Sequence, residues 1–153
     1  MDYLNIKEKI LSNLETNFSN TNMLEQKYRS HPSYSLLHVQ HFLPIEVTDA
    51  LAKELDSIPL EQCKKFTRRG SCMYEHNKLD ETPIADAVVS VLHGQTFLRW
   101  LQKVTDTVDL IPDPFLVGAG YMKSFAGDSL RVHTDFNWNE GLRLHRKLSL
   151  IIY

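Results

Sequence analysis

GAGYMKSFAGDSLRVHTDFNWNEGLRLHRKLSLIIY, residues 118–153, sustains no helical period and alternates around glycine punctuation as strands do. The strand-like character starts near Phe115. The residues before Asp109 differ: Ile6, Ile10, Leu14 and Phe18 recur four apart and predict an amphipathic helix over residues 2–18. Pro44 opens a second predicted helix, IEVTDALAKELDSI, whose Val47, Leu51 and Leu55 form one stripe. Thr82 and Pro83 supply an N-cap and a first-turn proline for PIADAVVSVLH, and Gly94 separates it from QTFLRWLQKVTD, rich in core aromatics. Helices first and strands afterwards predict an α+β protein.

Between these elements, SNTNMLEQKYRSHP (19–32) loses its period and predicts a loop or linker, and SLLHVQHFLP (35–44) predicts a strand. CKKFTRRGSCMYEHNKLDE predicts a hairpin turning at Arg68–Ser71. Its basic cluster of Lys64, Lys65, Arg68 and Arg69 is either a solvated hairpin or a surface for an acidic substrate. The chain has 153 residues, 42% of them hydrophobic and 24% charged, which predicts one ordinary globular domain able to bury a core unaided. A formal charge of -2 leaves no electrostatic footprint for nucleic acid. With no signal-like apolar segment and no membrane span, the protein is expected to be cytoplasmic and off the membrane. Cys63 and Cys72, the only cysteines, read as reduced thiols, with a bridge across the short hairpin as the alternative.

The chemistry lies in the triplet His133-Thr134-Asp135. On a strand, residues i and i+2 share a face, so His133 and Asp135 present an imidazole and a carboxylate side by side. That is two thirds of a 2-His-1-carboxylate facial site for non-haem Fe(II). The opposite face carries Leu130, Val132, Thr134 and Phe136. A polar stripe backed by apolar residues fits a pocket wall and equally an edge strand facing solvent.

GAGYMKSFAGDSLRVHTDFNWNEGLRLHRKLSLIIY closely resembles the iron-binding segment of the 2-oxoglutarate- and Fe(II)-dependent dioxygenases, within a prolyl 4-hydroxylase-like group. LLHVQHFLPIEVTDALAKELDSI looks like the strand and helix that open that group's catalytic domain. The resemblance runs from about Ser35 and is specific in the last forty residues. It implies a double-stranded β-helix, a jelly-roll barrel with helices packed on one sheet. The expected organisation is an N-terminal helix and linker over 1–34 and a dioxygenase domain over 35–153. By the resemblance His133 and Asp135 bind iron. Tyr153 falls where related enzymes hydrogen-bond the distal carboxylate of 2-oxoglutarate, and Tyr121 lines the same pocket; Tyr153 also reads as a barrel-core or rim tyrosine. His145, in the HRK segment, belongs to the scaffold.

The implied cofactors are Fe(II) and the cosubstrate 2-oxoglutarate, with ascorbate as an accessory reductant, and the implied activity is hydroxylation of a small molecule or protein. The family pattern places a second histidine and a 2-oxoglutarate-binding Arg or Lys beyond Tyr153. The expectation is therefore an N-terminal portion of a dioxygenase, truncated in its C-terminal half and inactive alone. Two alternatives stand beside it: a non-catalytic double-stranded β-helix binding domain, and a metal-independent α+β binding module in which HTD is ordinary surface.

Overall fold

The computed structural model describes residues 1–68 and 71–153. Among the described residues, five α-helices and five short strands give an α+β protein: α1 (Tyr3–Asn17), α2 (Thr21–Arg29), α3 (Ile45–Ser57), β1 (Lys64–Arg68), β2 (Ser71–His76), α4 (Pro83–Leu92), α5 (Gln95–Thr105), β3 (Tyr121–Lys123), β4 (Trp138–Asn139) and β5 (Leu144–His145). The chain divides into two compact units, residues 1–59 with 78–112 and residues 60–77 with 113–153. No helix among the described residues is long and apolar enough to cross a membrane.

The first unit is helical. Ile6, Ile10 and Leu14 of α1 are buried as their four-residue spacing predicts, and they share a core with Leu43, Val47, Val88, Val91 and Phe97. Asp2 caps α1 by accepting from the Asn5 N–H at 2.9 Å. Phe18, Phe42, Phe97 and Trp100 form a ring cluster with centroids 5.5–5.9 Å apart. The Trp100 indole N–H donates to the Phe18 carbonyl at 2.8 Å, so the polar edge of this apolar cluster is satisfied.

Two expectations fail in this unit. Residues 19–32 contain α2 rather than a linker alone, because Asn20 accepts from the Met23 N–H at 3.1 Å and the new helix buries Leu24. Residues 35–44 form no strand. Asn13 of α1 donates to the carbonyls of His41 and Phe42 at 3.1 and 2.7 Å, and His41 takes a left-handed φ of 56°. These side-chain bonds hold the segment where a sheet ladder was expected, with Leu43 buried in the helical core.

The second unit carries the sheets. β1, β2 and β3 form an antiparallel sheet in that order; Phe66 pairs with Met73 and His76 with Tyr121. The register joins Arg68 to Ser71 as the predicted hairpin requires; its Arg69-Gly70 turn lies outside the described residues. β4 and β5 make a separate hairpin, pairing Trp138 with His145 and Asn139 with Leu144. Gly120 is forced at its position: its φ is 151°, and a Cβ there would meet the His76 carbonyl oxygen at 2.6 Å.

The described residues form no jelly-roll barrel. Residues 129–136, which carry HTD, and residues 147–153 have no ladder. A strand persists only where its N–H and C=O groups find a partner strand. The Cys72 N–H donates to the Ser129 carbonyl at 2.9 Å, a bond from β2 that extends into no ladder. Residues 113–119 form turns ordered by Asp113, whose carboxylate accepts from the Phe115 and Val117 N–H groups at 2.9 and 3.0 Å.

Candidate metal centre

The β4–β5 hairpin sets the geometry around HTD. Asn139 Oδ1 accepts from the Leu142 N–H at 3.0 Å, Arg143 supplies a left-handed φ of 55°, and the chain returns along β5. The Arg146 N–H then donates to the Asn137 carbonyl at 2.9 Å, which carries the hairpin one step beyond its assigned strands. His145 therefore lies on a strand, edge-on to Trp138 at 4.9 Å.

His133 and Asp135 come together. His133 Nε2 lies 3.2 Å from Asp135 Oδ1, and each side chain is 50% exposed. The other imidazole nitrogen, Nδ1, lies 2.8 Å from the Arg131 carbonyl oxygen. A carbonyl oxygen only accepts, so Nδ1 carries the proton in this contact. Nε2 then faces a carboxylate oxygen, lone pair to lone pair. Either a second proton or a cation between the two atoms makes the contact favourable.

A metal ion fits this spacing. Two neighbouring donors each about 2.1 Å from an octahedral ion lie about 3 Å apart. A backbone carbonyl holding Nδ1–H is also the usual way a ligating imidazole is oriented. Asp135 Oδ2 meets Arg146 Nη1 at 3.4 Å, leaving Oδ1 for the shared position. Imidazole with carboxylate suits Fe(II), as it does several divalent ions. Among the described residues, no group of three His, Cys, Asp or Glu side chains gathers to hold a metal.

Tyr121 sits on β3, half-buried, opposite His76. Tyr153 is 102% exposed, so its ring touches neither His133 nor Asp135. Lys64 and Lys65 are exposed on β1. The Lys65 ammonium lies 5.6 Å from the Tyr74 ring centroid, and the Tyr74 phenol, then Cys72, hold its pKa above the ordinary lysine value. Both cysteines are free thiols.

Spacing did not reveal Arg146. Eleven positions separate it from Asp135, and only the hairpin register brings the two together. Comparison with protein-family models, with curated proteins and with solved structures yields no match.

Proposed function

We propose that the chain is the iron-binding portion of a 2-oxoglutarate- and Fe(II)-dependent dioxygenase of the prolyl 4-hydroxylase-like group, with His133 Nε2 and Asp135 Oδ1 as two of the iron ligands. The observation that supports this most is the pair itself: two donors 3.2 Å apart, with the far imidazole nitrogen 2.8 Å from the Arg131 carbonyl oxygen. The bound iron would supply oxygen activation coupled to decarboxylation of 2-oxoglutarate, with hydroxylation of an unactivated C–H bond as the outcome. The chain's own residues do the holding: Arg131 fixes the tautomer of His133, and Asp135 neutralises part of the ion's charge. A complete site also needs a third protein ligand and a basic group for the distal carboxylate of 2-oxoglutarate, with Tyr153 and Tyr121 as the tyrosines of that pocket. The substrate is a small molecule or a protein side chain.

The competing reading is a metal-independent binding module. The half-exposed chain of His133, Asp135 and Arg146 favours it, because a protonated imidazole would make the same contacts as a surface ion-pair network. Anaerobic Fe(II) titration of the chain against a chromophoric chelator separates the two. The dioxygenase reading expects the wild-type chain to compete for Fe(II) and both His133→Ala and Asp135→Ala to lose that competition. No Fe(II) binding by the wild type, or binding indifferent to both substitutions, would favour the binding module.

A further inference from the structure

We propose that Arg146 is the positioning residue of the metal centre: it holds Asp135 Oδ2 so that Oδ1 is already turned toward the ion shared with His133. This inference rests on the metal reading of HTD. Three contacts fix Arg146. Its backbone N–H is bonded to the Asn137 carbonyl at 2.9 Å, which places it diagonally across the hairpin from Asp135. Its guanidinium lies 4.8 Å from the Phe136 ring centroid, and its Nη1 is 3.4 Å from Asp135 Oδ2. The side chain is 25% exposed, half the value for the carboxylate it meets.

The terminal torsion of an aspartate is broad, so a free carboxylate must be ordered when metal binds. A guanidinium seated on an aromatic face and ion-paired with one carboxylate oxygen restricts that freedom beforehand. The sign of the effect separates positioning from simple charge. A cation beside a ligand carboxylate repels an incoming divalent ion, so on charge alone its loss would tighten metal binding. If Arg146 positions the ligand, its loss weakens binding.

The experiment is a Co(II) titration of the full chain, followed by absorption, with unfolding monitored on every variant. Arg146→Gln should weaken Co(II) binding about tenfold, the lower end of the range for groups that orient metal ligands. Arg146→Lys keeps the charge without the planar fork and should recover part of the loss. Phe136→Leu, which removes the aromatic seat and leaves the charge, should show an intermediate loss. Arg143→Gln removes a charge from the same hairpin and should stay within about twofold of wild type, since surface charges of this kind are screened. Unchanged or tighter binding in Arg146→Gln, or an equal loss in Arg143→Gln, would overturn the positioning role alone, provided Asp135→Ala still loses the metal. If the wild type binds no Co(II), or Asp135→Ala binds it as well as wild type, the metal reading falls and this inference with it.

Discussion

Glu46 lies in the first turn of α3, where its own backbone N–H and then the Lys9 ammonium 3.4 Å away favour the ionised carboxylate and hold its pKa below the ordinary value. A carboxyl lowered in the folded state stabilises the fold above its unfolded pKa, and that contribution is lost as pH falls through the folded value. Glu46→Gln should therefore melt below wild type at neutral pH, and the difference should close at acid pH and shrink in high salt. Equal melting at neutral pH and low salt would contradict this. At the candidate centre, His133 and Asp135 could be read from the sequence because both lie within one three-residue motif. Arg146 and the Arg131 carbonyl could not, because their roles depend on a hairpin register and a backbone orientation that no local spacing encodes.

Among the elements, α4 starts differently from its sequence signature. Thr82 and Pro83 mark the start correctly, but the Thr82 hydroxyl donates back to the carbonyls of Lys78 and Leu79. The free N–H groups of Ile84 and Ala85 are instead taken by the two carboxylate oxygens of Glu54 on α3, each at 2.8 Å. One carboxylate thus caps α4 and ties two helices together. Glu54→Ala should cost about 1–2 kcal/mol in urea denaturation, as loss of a strong N-cap does. A change below a few tenths would contradict the capping role. The same distinction explains α2. Asn and Ser around residue 20 suggested a loop, whereas Asn20 is a cap that starts a helix. For residues 35–44, alternation was a poor guide because Asn13, not a neighbouring strand, satisfies the carbonyls of His41 and Phe42. The periods of α1, α4 and α5 were legible because their apolar faces do meet a core.

Taken over the whole molecule, burial is uneven. Every buried apolar side chain among the described residues belongs to the helical unit, from Ile6 through Val104. In the unit holding the sheets and HTD, the described buried residue is His76, whose Nε2 has no hydrogen-bond partner, while Phe115, Phe125, Leu130, Val132 and Ile151 are exposed. Opening free energy follows buried apolar contact, so amides of α1, α4 and α5 should exchange at least about tenfold more slowly than those of β1–β3. Equal protection in the two units would contradict this. The α+β class was legible from the order of periodic segments. The described residues show no barrel of the kind the resemblance implies: β3, β4 and β5 are two or three residues long, and residues 147–153 join no strand.

Whether His133 and Asp135 share a metal ion, as proposed, is read by imidazole nitrogen NMR of the histidine-labelled chain, with Zn(II) as a diamagnetic stand-in for Fe(II). Of the seven histidines, His133 alone should respond, through Nε2, with Nδ1 keeping its proton, saturating at one equivalent and failing in Asp135→Ala. A His133 signal that does not move, or a response spread over several histidines and unaffected by Asp135→Ala, would contradict it.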